Sequence, residues 1–252
     1  MNFSFKKFSA YVCIRLLLLS LSFSAHAQST KTITTNSVVV ENAPAWLSEY
    51  AVQSVVDRIE MRLEWSIRRT RAFFYSDQAL FISKFNGRAA SDILAFTKRN
   101  DLTVHLGPRI NKQNFAGVFG HELAHVILFQ KYKDSIPPWL TEGLCNSVAG
   151  NEKINYAWLA AQGPRFDIST LEHPYDKQNK NRADLHYRAS LAVVKMLQKK
   201  CPDFKELLNL SLKSKLADFL PTYCGISKLN ETFWTWVDAE AKKEKLRTIS
   251  PL

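Results

Sequence analysis

The sequence predicts an α+β fold in one domain, on three observations. Apolar residues recur at helical spacing before residue 70, short β-prone runs occupy residues 72–106, and helical periodicity dominates from residue 113 onward. The first helix starts after Pro44. Leu47, Ala51, Val55, Ile59, Leu63 and Ile67 recur every four residues, with Glu49, Asp57, Arg58, Arg62 and Arg68 between them. Ala72–Tyr75 is a short β-prone run. Gln78–Phe85 reads as a short helix ended by Asn86-Gly87. Ser91–Thr97 and Leu102–Leu106 read as two strands around the turn formers Lys98–Asp101, and Gly107-Pro108 stops the second. A helix then runs from near Gln113 to about Tyr132. Pro137-Pro138 opens the next, Trp139–Ala149, with proline at a tolerated first-turn position. Beyond Ala183, Tyr187, Leu191 and Val194 share one helix face, and Phe233, Trp236 and Val237 lie on the last helix.

Residues 1–27 read as a signal peptide. Lys6 and Lys7 give a positive start, Leu16–Phe23 an apolar run, and Ala25-His26-Ala27 a small-x-small cleavage site. The alternative, an uncleaved anchor, meets an apolar run far short of the ~20 residues a bilayer span needs. The expected location is therefore secreted or periplasmic, with residues 28–252 as the folded domain and residues 28–44 as a polar, flexible lead-in. Hydrophobic residues make up 46% of the chain, enough for a packed core. Lys6, Lys7 and Arg15 account for three of the net +11, which leaves +8 on residues 28–252. Such a charge is compatible with anionic partners such as nucleic acid or an envelope surface, but it reads mainly as a solvated surface. The basic residues are nevertheless scattered and carry no nucleic-acid-binding motif, so no nucleic-acid partner is expected.

Three cysteines follow the leader. In an oxidising compartment Cys201 and Cys224 are the favoured disulfide because both flank one C-terminal helical segment, which leaves Cys145 as a buried thiol. The other pairings stay open. No C-x-x-C is present, so a redox motif or cysteine zinc knuckle is not supported.

The chemistry concentrates in His121-Glu122-Leu123-Ala124-His125. Residues four apart share a helix face, so both imidazoles can aim at one Zn²⁺, while Glu122 falls beside the metal as a base for its water. The surrounding helix is apolar nearly all round, from Phe115–Phe119 to Leu123–Phe129. Burying three polar side chains there is costly without a partner, and a metal removes that cost. Gly120 and Ala124 also keep the helix slim. The competing reading is two histidines satisfied by ordinary hydrogen bonds.

A catalytic zinc usually takes three protein ligands and a water. The metzincin pattern would need a glycine and a third histidine where Leu128 and Lys131 stand, so that class is excluded. Glu142, in Pro138-Trp139-Leu140-Thr141-Glu142-Gly143, is the third-ligand candidate, because an antiparallel return of its helix brings the carboxylate to the histidine face. Its alternative is a helix-surface acid. His173 and His186 are fallback ligands that otherwise read as surface histidines, and His105 reads as structural or exposed.

The segment His121–His125 followed by Pro138-Trp139-Leu140-Thr141-Glu142-Gly143-Leu144 resembles the peptidase MA-like gluzincins. The resemblance extends over roughly residues 70–240. It implies a zincin-like fold with Zn²⁺ held by His121, His125 and Glu142, and Glu122 as catalytic base. It also implies that Leu102–Leu106 forms the sheet edge that receives substrate. Tyr187, in Leu185-His186-Tyr187-Arg188, resembles the family's tyrosine-containing helix start, and its hydroxyl is a candidate oxyanion donor, the alternative being a core tyrosine on an amphipathic helix. Residues 225–234 resemble the family's closing segment. The expected activity is a zinc metallopeptidase acting on peptide or protein substrates. Two alternatives are a non-catalytic scaffold for envelope binding or assembly, and a zinc hydrolase of another amide or ester.

Overall fold

The structure, a computed structural model, describes residues 31–85, 93–150, 154–171 and 183–249. The predicted leader, the Asn86-Gly87 stop and His173 lie outside them. The described chain is mixed α+β. Two strands, β1 (Lys31–Thr34) and β2 (Val38–Ala43), precede helix α1 (Glu49–Arg62). Strand β3 (Thr70–Phe74) and helix α2 (Gln78–Ser83) follow, then β4 (Ala95–Lys98) and β5 (Thr103–Leu106). Two helices come next, α3 (Phe115–Tyr132) and α4 (Pro138–Ala149). The remainder is α5 (Tyr156–Ala160), a 3₁₀ turn at Ile168–Thr170, α6 (Ala183–Lys200), α7 (Phe204–Leu210), α8 (Leu216–Cys224) and α9 (Leu229–Ile249).

Three expectations are corrected. Residues 31–43 are paired strands, not a flexible lead-in. Ile33, Val38 and Val40 are buried, so β-branched side chains find a core there. Helix α1 is shorter than its apolar period at both ends. Ser48 caps it by accepting from the Ala51 N–H, and the chain leaves the helix at Leu63. Ile67, the last residue of the periodic series, is exposed beyond it. The third correction concerns the sheet edge. The strand order is β1-β2-β3-β5-β4, with β2, β3 and β5 parallel and the two outer strands antiparallel to their neighbours. Thr103–Leu106 is therefore paired on both sides, and β4 is the edge.

Alternation along the strands divides the sheet into two faces. Val38, Val40, Ala72, Phe74, Val104 and Leu106 point into the main core shared with α1, α3 and α4. On the other face His105 is buried in an aromatic stack. Its ring lies 4.7 Å from Phe96 and 5.5 Å from Phe73. The Tyr75 hydroxyl sits 2.7 Å from Nδ1, Nε2 is 3.0 Å from Thr103 Oγ1, and Thr103 donates to Asp101 at 2.8 Å. One proton arrangement satisfies the whole row: Tyr75 donates to Nδ1, and Nε2–H donates to Thr103. His105 is then neutral and structural.

Burial, reinforced by Lys98, lowers the His105 pKa from 6.5 to about 4. The unfolded chain thus takes up this proton near pH 6.5 and the folded chain only near pH 4. Stability from this group is complete above pH 6.5 and falls as pH descends to about 4. Chemical denaturation across that window is expected to show a shallower pH slope in His105→Gln than in the wild type, by up to one proton. Equal slopes would remove His105 as the cause.

At the C-terminal half, Cys201 at the end of α6 is bonded to Cys224 at the end of α8. Cys145 is buried and free, and burial, with Glu142 and Glu122 adding, pushes its thiol well above the ordinary range.

Candidate metal centre

Two helices packed against each other build the site. His121 and His125 lie one turn apart on α3, on the side facing α4. Helix α4 starts at the Pro137-Pro138 pair, where proline at the first helical position gives up no needed N–H. One turn later Glu142 is only 2% exposed and faces both imidazoles. His121 Nε2 and His125 Nε2 are 3.0 Å apart, and Glu142 lies 3.6 Å from the first and 3.5 Å from the second. Burial opposes charging His121, but the Glu142 carboxylate outweighs it, with Glu122 and Asn146 assisting, and its pKa is raised.

These distances suit a metal. Ligand atoms about 2.0–2.1 Å from a tetrahedral Zn²⁺ lie about 3.3–3.4 Å from one another, and the three observed separations straddle that value. Two imidazoles and one carboxylate are also a donor set that zinc takes, with one position left for water or substrate. Among the described residues these three form a possible metal-binding triad. His186 is not part of it. It is buried at the start of α6 rather than on the surface, and its ring is 6.3 Å from that of Tyr187.

Glycine at position 143 sets how closely α6 approaches α4. A Cβ there would stand 2.0 Å from the Ser190 carbonyl oxygen and 2.7 Å from Val194 Cγ2. Only a residue without a side chain lets the backbones meet at that distance. This contact seats the turn carrying Glu142. Gly120 plays a looser version of the same part, with Arg58 Nη2, 3.0 Å from where its Cβ would be, on the neighbouring α1.

Glu122 points beside the triad. The Thr97 hydroxyl of the edge strand lies 2.7 Å from Glu122 Oε2 and 3.0 Å from its backbone carbonyl. Thr97 was not singled out in the sequence. The signal that could have found it is the period of two: Thr97 pairs with Val104 and so faces the helices. Tyr187, in the first turns of α6, places its ring 6.4 Å from that of His121.

A cleft of about 350 Å³ opens over these groups. Its walls include His121, Glu122 and His125 on one side, Ala95–Thr97 of the edge strand on another, and Asn146 and Tyr187 beyond. Arg99, at the end of the strand, also borders a smaller cavity of about 150 Å³ on the far side of His125. No protein-family model, curated protein or solved structure matches this chain.

Proposed function

We propose that the chain is a zinc-dependent metallopeptidase of the gluzincin type. One observation carries the reading: His121, His125 and Glu142 converge from two helices, with Glu122 beside them in an open cleft. The likeness of the segments around Glu122 and Glu142 to gluzincins supports it. A bound Zn²⁺ would polarise the scissile carbonyl and acidify the attacking water. The chain's own residues do the remainder. Glu122 takes the water proton and passes it to the leaving amine, held in place by the Thr97 hydroxyl. Tyr187, across the cleft, donates its O–H to the developing oxyanion. An extended peptide pairs with the outer edge of β4, the last strand of the sheet among the described residues, and lies across the metal position.

Glu122 argues for catalysis over a binding scaffold, because it lines the cleft without being one of the three converging ligands. Export through the predicted leader is part of this proposal, and the Cys201–Cys224 bond agrees with an oxidising compartment. The test is cleavage of an unbiased peptide library by the zinc-loaded protein, with Tyr187→Phe alongside. Cleavage is expected, and Tyr187→Phe is expected to lower kcat by about 100- to 1,000-fold with little change in KM. A zinc-loaded protein that cuts no peptide contradicts the peptidase reading. An unchanged kcat in Tyr187→Phe removes that residue from the mechanism.

A further inference from the structure

Edge strand β4 and the turn that follows it meet helix α3 at two points, two residues apart along the chain. Thr97 holds Glu122. Arg99, just past the end of the strand, reaches the same helix further along, its guanidinium carbon 5.7 Å from the centre of the Phe129 ring. The first contact serves the proposed chemistry. The second has no part in it.

Arg99 and His125 are walls common to the main cleft and to the smaller cavity beyond it. The two spaces therefore adjoin at the metal centre. At about 150 Å³ the smaller one is well below the roughly 300–1,000 Å³ of a whole small-molecule site, and it suits a single side chain. Leu128, Phe129, Ile136 and Pro138 give it apolar walls. Its charged walls besides His125 are Arg99, Lys133 and Asp134, two cations against one acid.

Arg99 is already paired with Asp134, but weakly. Nη1 alone donates, at 3.5 Å, and the Asp134 side chain is 83% exposed. Water competes for both charges of such a pair, so it holds the arginine loosely. A guanidinium has five N–H donors in a planar fork that meets a carboxylate through two parallel bonds. The cation–π contact with Phe129 keeps that fork beside the cavity.

The geometry points to a carboxylate-binding subsite, in which Arg99 takes an anionic group of the substrate two residues along from the one opposite Thr97. This role presupposes the peptidase reading. A peptide strand paired with β4 repeats its side-chain direction every second residue, about 6.6 Å on. With the residue opposite Thr97 lying across the metal position, the next side chain on that face therefore arrives beside Arg99. The aliphatic part of an aspartate or glutamate packs on the apolar walls, and its carboxylate meets the guanidinium. A peptide that ends there offers its C-terminal carboxylate to the same group. A basic side chain would meet Arg99 and Lys133 together.

Binding and cleavage are to be measured separately, on acetylated alanine hexapeptides carrying one aspartate, asparagine or lysine at each position in turn. One set is C-terminally amidated and the other has a free C-terminus. Zinc-loaded Glu122→Gln reports binding, and the zinc-loaded wild type reports cleavage. Among amidated peptides, aspartate at one position is expected to be bound and cut at least about tenfold better than asparagine. A tenfold gain confined to free C-termini assigns the same subsite to the end of the chain. Arg99→Gln, introduced into both proteins, should bring either ratio to about one. Arg99→Glu should turn the preference toward lysine, a reversal that a merely damaged site does not produce. The Arg99 side chain is 51% exposed, and zinc content per chain verifies that the metal centre is intact in the variants. The subsite is overturned if the carboxylate makes no difference in either set, or if its advantage survives in Arg99→Gln. A wild-type preference for lysine also overturns it and gives the cavity to Asp134. Cleavage without a carboxylate preference leaves the peptidase reading standing. Carboxylate-selective binding that Arg99→Gln abolishes, with no peptide cut, removes that reading and keeps the subsite.

Discussion

Replacing Glu122 by glutamine is expected to cut peptide hydrolysis on the order of 10³-fold while the protein still binds zinc. Glutamine has nearly the shape of glutamate and keeps an oxygen that the Thr97 hydroxyl can reach, now 2.7 Å from Oε2. It cannot accept a proton, so water activation and protonation of the leaving amine fail together. Because the converging ligands are His121, His125 and Glu142, the metal should stay. Measured kcat/KM together with zinc content per chain separates the two roles. Near wild-type turnover would exclude Glu122 as the base, and loss of zinc would make it a ligand.

Gly143→Ala is expected to be the most damaging single methyl group in the fold. The new Cβ meets backbone atoms of Ser190, its oxygen at 2.0 Å and its carbon at 2.6 Å, and a backbone cannot swing aside as a side-chain tip does. Overpacking a tight core costs about 1–3 kcal/mol, and a clash this close belongs at or above the upper end. Helices α4 and α6 must separate, and Glu142, the preceding residue, moves with α4. Chemical denaturation should show the lost stability, and a zinc titration should show weaker binding. Gly120→Ala supplies the contrast, since its closest neighbour is the end of the Arg58 side chain at 3.0 Å, which can yield. Equal stability of Gly143→Ala and the wild type would mean that the α4–α6 contact is not set by this glycine.

Much of the site could be read from the sequence because helical spacing is a geometric rule. His121 and His125 had to share a face, and Glu142 follows on a helix joined by a short Pro-Pro turn, so both placements were local matters. What was not legible depended on pairing between distant segments. Which strand becomes the edge is decided by where β5 inserts between β3 and β4, and nothing in Leu102–Leu106 itself reports it. The strands at 31–43 were hidden for a related reason: Val38-Val39-Val40 is β-prone, but its partner Thr70–Phe73 lies beyond a whole helix. Thr97 acquires its role only when the edge strand is laid against α3. The overrun of α1 toward Ile67 shows periodicity losing to capping and tertiary demand. The buried Glu60 carboxylate takes the Ser66 N–H and turns the chain into the loop before β3.

A zinc titration of chelator-stripped protein puts the metal centre itself to the test. The wild type is expected to bind about one zinc per chain, and His121→Ala, His125→Ala and Glu142→Ala each to weaken that binding by at least about 100-fold. A wild type that binds no zinc, or three variants that bind it as the wild type does, would exclude a zinc centre at these residues.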